Sequence, residues 1–165
     1  MKRVLLLLIA LLLVGCSGGD TDIKEIDAKS LRNRNLALAY IDSGLMSEAS
    51  EKLATLELLL PGEAFVYANQ GVVALRQNEL EKANSLLEKA ATLAPNSPGI
   101  ALLRGEVAML TGQFDVSAQI LESAIVTNPE NMQLRWARSD QLEHVQTIVD
   151  ALPQNIVARL SLIKE

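Results

Sequence analysis

Apolar positions in this chain follow two rules. From Val4 to Val14 they run without a break, whereas from Ser30 onward they are interspersed with polar residues at helical spacing. Three or four residues per repeat is the signature of a helix with one buried side, because 3.6 residues make a turn and positions i, i+3, i+4 and i+7 share a face. Between the two regimes lies "SGGDTDIKEIDAK", rich in Gly, Ser and charge and without a sustained apolar period. Such a composition predicts a flexible tether.

The helical part repeats. Pro61, Pro95 and Pro129 are spaced by 34 residues, as are Leu53, Leu87 and Leu121, and Ala37, Gly71 and Gly105. Ala49, Ala83 and Ser117 keep the same spacing, as do Tyr40, Ala74 and Ala108, Gly44, Asn78 and Gly112, and Leu56, Ala90 and Ala124. Proline lacks an N–H and clashes with the preceding turn, so each proline column predicts a helix end. Small residues at two columns let paired helices approach to about 8–10 Å, and the leucine column is expected to fill the seam between units. Ser97 before Pro98 reads as an N-cap with proline at the first helical position, and Asn78 with Glu81 reads as a second cap. Helices of roughly 13 residues are marginal alone in water, so each must bury a face on its neighbours.

These columns resemble the tetratricopeptide repeat, a pair of antiparallel helices per unit. Three units fit, at 30–63, 64–97 and 98–131, and "GQFDVSAQILESAIVTNP" carries the family's Gly, aromatic, small, bulky, Ala and Pro in order. The aromatic expected early in the first helix is kept only as Tyr67, its counterparts being Asn33 and Ala101, and the leucine three residues later is Leu36, Gln70 and Arg104. The resemblance implies an all-α, TPR-type α-solenoid. After Glu130 the register decays. Residues 132–165 read as a degenerate repeat and capping helix, with Pro153 where a fourth second helix should run and Ile156, Leu160 and Ile163 on one face.

The apolar run at the start has its own resemblance. Met1, Lys2 and Arg3 form a basic n-region, and the eleven residues that follow would rise about 16 Å as a helix, roughly half of a bilayer's ~30 Å core. That length suits a secretory h-region rather than a span. Leu13-Val14-Gly15-Cys16 then resembles the lipobox of bacterial lipoproteins. The resemblance implies a signal peptide over 1–15, acylation of Cys16 and a tether over 16–29. Ser17, not Asp, follows the cysteine, which in that family is the pattern sent to the periplasmic face of the outer membrane.

Composition narrows the function. Apolar residues are 49% of the 165 and aromatics only 3%, which suits packed helices more than strands. A net charge of −5 leaves no electrostatic footprint for nucleic acid. His144 is the only histidine and Cys16 the only cysteine, short of any zinc set, so no metal or other cofactor is expected. His144 with Asp140 one turn before it reads as a surface pair. Arg104, Arg135 and Arg138 read as salt-bridged surface rather than a basic stripe. The sequence holds no Gly-rich phosphate loop, nucleophile elbow or CxxC, so an enzyme is not expected.

In the repeat family, the first helix of each unit lines a concave groove that takes a partner. By register this implies Leu31, Arg34, Leu38 and Ile41 in the first unit and Phe65, Ala68, Val72, Leu75 and Arg76 in the second. The third supplies Leu102, Glu106, Met109 and Leu110, and the tail helix Trp136 and Asp140. Most are apolar, and a contiguous exposed apolar strip marks an interaction site. The family's clamp for acidic tails wants Lys and Asn at positions held here by Arg34, Leu38, Ala68 and Val72. The reading is a membrane-anchored protein–protein interaction scaffold for an envelope complex, comparable to pilotin-like assembly factors. Alternatives are the repeat part of a larger regulatory or enzymatic protein and a lipoprotein that pairs with itself as a homodimer; the groove could also be filled by the C-terminal helix. If Cys16 is acylated, Cys16→Ala should abolish metabolic labelling by a fatty-acid analogue and leave the leader uncleaved or the protein soluble.

Overall fold

A computed structural model describes residues 19–151, which are helical except for short turns. The helices are α1 (Gly19–Asp42), α2 (Met46–Leu59), α3 (Ala64–Arg76), α4 (Leu80–Leu93), α5 (Pro98–Leu110), α6 (Phe114–Thr127) and α7 (Met132–Ala151). Among the described residues there is no strand, and no helix is long and apolar enough to cross a membrane. The expected leader, Cys16, Pro153 and the face of Ile156, Leu160 and Ile163 lie outside them. The chain divides into two compact units at Gly62, the first holding α1 and α2 and the second α3 to α7. Helices pair as α1 with α2, α3 with α4 and α5 with α6, and within the second unit α4 packs on α5 and α6 on α7.

The same turn joins the two helices of each pair. Gly44, Asn78 and Gly112 have φ of 77°, 59° and 72°. Around them the backbone donates Leu45 N–H to Tyr40 O, Glu79 N–H to Ala74 O and Gln113 N–H to Ala108 O, at 2.8, 2.9 and 2.7 Å. A second bond, spanning three residues instead of five, runs from Gly44 N–H to Ile41 O, Asn78 N–H to Leu75 O and Gly112 N–H to Met109 O. This is the Schellman closure, in which a left-handed residue lets the chain satisfy the last carbonyls of a helix. Asn78 is therefore not the N-cap expected for α4, since Glu79 occupies that position and no side chain caps the helix. Asparagine tolerates the left-handed region because its short amide side chain bonds locally, and that requirement outranked capping here. Ser97 does sit at the N-cap of α5 with Pro98 behind it, but its side chain makes no capping bond.

Each second helix ends two residues before its proline, at Leu59, Leu93 and Thr127. Leu60, Ala94 and Asn128 leave the helix with φ of −131°, −137° and −133° and ψ of 68°, 73° and 64°, out of the α region that a following proline disfavours.

Two glycines set the spacing within the second unit's pairs. A Cβ built on Gly71 would lie 2.8 Å from Leu87 Cγ, and one on Gly105 would lie 3.1 Å from Leu121 Cδ2. Leu87 and Leu121 are buried against these bare backbones and anchor two interiors. One joins Ala74, Ala83, Leu87 and Val107 across α3, α4 and α5, and the other joins Leu121, Ala124 and Leu134 across α6 and α7. A third, of Tyr67, Ala90 and Ile100, again bridges α3, α4 and α5, with the Lys89 ammonium 3.8 Å from the Tyr67 ring centre. In the first unit the column holds Ala37, fully buried like Leu53.

Both ends of the helical array differ from expectation. Helix α1 starts at Gly19, so most of the segment expected as a tether is helical. No proline interrupts "DTDIKEIDAK", its acidic residues favour a helix N-terminus, and propagation adds one hydrogen bond per residue once α1 is nucleated. Helix α7 runs straight through Gln146, the position equivalent to the turn residues, because glutamine is a good helix former and not a left-handed one. At its start the Asn131 side chain accepts from Leu134 N–H at 3.1 Å, a cap the sequence reading did not identify.

Gly71→Ala should lower unfolding free energy by about 1–3 kcal/mol despite a ~0.5–1 kcal/mol gain in helix propensity, because Leu87 Cγ must move. Gly105→Ala, needing only a few tenths of an ångström, should be neutral within about 0.5 kcal/mol. Gly112→Ala, with open space around it but a left-handed backbone, should cost about 1–2 kcal/mol. Urea unfolding of the three variants tests the ordering.

Candidate functional site

Helix α5 carries Leu102, Glu106 and Met109 at i, i+4 and i+7, on one face. Helix α7 presents Gln133, Trp136, Ala137 and Asp140 on the side that faces them. With Gly105, Ser117, Leu121 and Gln141 these residues enclose a depression of about 650 Å³. Glycine at 105 and alanine at 137 leave room for it. Trp136 is 70% exposed at the rim, an unusual position for so large an apolar surface. At the floor the Ser117 hydroxyl is buried without a hydrogen-bond partner.

The position of α7 is set by polar contacts to α6. The Arg138 guanidinium donates to Glu122 Oε1 from Nη2 at 2.6 Å and from Nε at 3.0 Å. Its Nη1 donates to Gln141 Oε1 at 3.1 Å, and Gln141 Nε2 donates to the Phe114 carbonyl at 2.6 Å. Gln141 is 3% exposed, so this last bond is shielded from water. Leu134, fully buried, supplies the apolar anchor one helical turn before Arg138. Arg138 thus spends its charge on α6, away from the depression.

A smaller depression of about 270 Å³ adjoins this one, lined by Val72, Leu75 and Arg76 of α3 and Leu103, Glu106 and Leu110 of α5. Glu106 belongs to both. Of the residues expected in the partner groove, Val72, Leu75, Arg76, Leu102, Glu106, Met109, Leu110, Trp136 and Asp140 therefore come together on one side of the second unit. Phe65 and Ala68 are half-buried and line neither depression, and Ala68 packs against the Tyr67 interior. In the first unit Leu31, Arg34 and Leu38 are exposed, with Leu31 beside Arg32, Asn35 and Leu36 in a shallow notch along α1. Ile41 is a correction. It is 5% exposed, in the last turn of α1 where the chain reverses at Gly44 and brings α2 alongside, so it packs rather than presents a surface.

Other expected pairs also resolve differently. The His144 ring lies 6.2 Å from that of Phe114, tilted by 53°, and makes no ion pair with Asp140. Of the three arginines expected as salt-bridged surface, Arg138 pairs with Glu122, whereas Arg135 is exposed without an ion pair and Arg104 is half-buried with its Nε unpartnered. Among the described residues no three His, Cys, Asp or Glu side chains converge to hold a metal ion.

Comparison with known proteins agrees on the fold. Residues 74–137 match the sequence profile of the Tetratricopeptide repeat family. No curated protein sequence matches the chain. Among solved structures, the TPR domain of Arabidopsis OM64 is similar at a TM-score of 0.64 and 18% identity, over 71% of this chain and 97% of that one. The second TPR domain of human RPAP3, in complex with the HSP70 peptide SGPTIEEVD, gives 0.62 and 17%, over 70% and 97%. The TPR2B domain of yeast Sti1, in complex with pHsp70, gives 0.65 and 13%, over 71% and 98%. The chain has an all-α fold of the tetratricopeptide-repeat type.

Trp136 is the only tryptophan, so its fluorescence reads the depression alone. With the Glu106 and Asp140 carboxylates lining the same hollow, caesium ion should quench it more efficiently than iodide, relative to free tryptophanamide. Equal quenching by the two ions would mean that the carboxylates do not set the local potential.

Proposed function

We propose that the protein is a non-catalytic interaction scaffold that holds a segment of another protein across the faces of α3, α5 and α7. The observation that carries this reading is the hollow beside Trp136: apolar on its walls, polar at its rim, and sized for side chains rather than for a whole small domain. Exposed apolar surface gathered into one concavity is what a monomer in water avoids unless something covers it. Aromatic residues in such a position commonly dominate the binding free energy, which makes Trp136 the anchor and Met109 its partner across the hollow. Solved domains of the same fold hold peptides, as in the human RPAP3 and yeast Sti1 complexes.

The second half of the proposal is the address. Acylation of Cys16 would attach the domain to a membrane of a bacterial envelope, the periplasmic face of the outer membrane by the residue that follows it. Each buried CH₂ contributes ~0.8 kcal/mol, so several chains hold firmly where one is marginal. A scaffold held at a bilayer meets partners in an envelope assembly at high effective concentration.

Photocrosslinking in living cells tests the site. A photoreactive residue at Met109 should give a discrete adduct that disappears when Trp136→Ala is added, while the same residue at Glu88 on α4 should give none. Leu75 is a poor choice for such a probe because it also packs on the Ala74 and Leu87 interior. An adduct at Met109 that survives Trp136→Ala, or an equal one at Glu88, would place the partner elsewhere.

A further inference from the structure

Charge in the hollow is one-sided. Glu106 and Asp140 are the charged side chains that line it, one on each wall, with no lysine or arginine among the lining residues. Both are exposed, and neither takes part in an ion pair. The nearest cations are committed or set apart. Arg138 is held by Glu122 on α6 and by Gln141 on its own helix, Arg76 lines the smaller depression beside Glu106 without forming an ion pair with it, and Arg135, next to Trp136 in sequence, does not line the hollow. His144 turns toward Phe114. Along α7, Trp136 and Asp140 are one turn apart on the same face, so an indole and a carboxylate stand side by side.

Resting on the scaffold reading above, we propose that the occupant of this hollow is a cationic amphipathic segment: an apolar side chain seated between Leu102, Met109 and Trp136, flanked by lysine or arginine. The apolar residue covers the greasy walls. One flanking cation meets Glu106 and the other meets Asp140, with the Trp136 face available to the second through its ring quadrupole. An acidic segment is rejected for the same reason, because its carboxylates would sit against two of the same sign in a partly desolvated hollow. The site is thus opposite in charge preference to one that takes a tail such as SGPTIEEVD.

The test uses the full-length chain in non-ionic detergent and three short peptides of one apolar sequence, with Lys, Gln or Glu at the same flanking positions. Binding is read by Trp136 fluorescence and by anisotropy of a labelled peptide. The expected order is Lys tighter than Gln tighter than Glu, with roughly tenfold or more between the extremes at low salt, shrinking as salt is raised. In Glu106→Gln with Asp140→Asn, exposed positions that leave packing intact, the Lys peptide should lose its advantage over the Gln peptide. Equal binding of all three peptides, or a Lys peptide indifferent to the double variant, would overturn the charge preference while leaving the scaffold reading in place. Failure of every peptide to bind, with Trp136→Ala also without effect on partner capture in cells, would remove both.

Discussion

Everything in the second unit depends on how closely two helices can lie within a pair. At Gly71 and Gly105 the backbone of a first helix meets a leucine of the second with no Cβ between them. That contact draws α3 onto α4 and α5 onto α6, and it seats Leu87 and Leu121 where they are shared with the next pair. Dispersion falls off steeply with distance, so an interior built from alanine and leucine holds only if the helices are this near. The small residues at Ala83, Ala90 and Ala124 serve the same end from the other side of the seam. Aromatic side chains, which would force the helices apart, are almost absent from the chain, and Tyr67 is the one buried among the interiors.

Stacking of this kind turns a linear repeat into a surface. Because α4 packs on α5 and α6 on α7, the first helices of successive pairs fall side by side, and their outward faces make up the wall on which the hollow opens. The last helix has no second helix of its own among the described residues. Its placement instead relies on Leu134, on Gln141 reaching the Phe114 carbonyl and on the Arg138–Glu122 ion pair. An ion pair with one partner 59% exposed adds little stability by itself. Its role here is geometric, since it fixes which face of α7, and so which way Trp136 and Asp140, look.

The repeat was legible because three independent physical needs recur at one spacing. A proline stops each second helix, a left-handed residue closes each first helix, and a small residue meets a leucine. Where only one need operates, the sequence was ambiguous. Asn78 satisfies both a capping pattern and a left-handed turn, and only the backbone shows that the turn claims it. Ile41 matches the groove by register yet is buried, because a 34-residue alignment does not say which neighbour covers a given face. The helical start at Gly19 was hidden for a similar reason: the segment's glycine and charges read as a linker, whereas a helix nucleated downstream propagates back to Gly19.

From the sequence alone came the fold class, the helix pairs and their ends, and most of the α3, α5 and α7 residues that meet at the hollow, because these follow from local periodicity and backbone constraints that every unit must obey. Only the tertiary structure decided which of those residues share a cavity, that Arg138 is spent on Glu122 while Glu106 and Asp140 keep their charge, and that α7 continues where a turn was due. Those outcomes depend on contacts between residues far apart in the chain, and no column of a repeat carries that information.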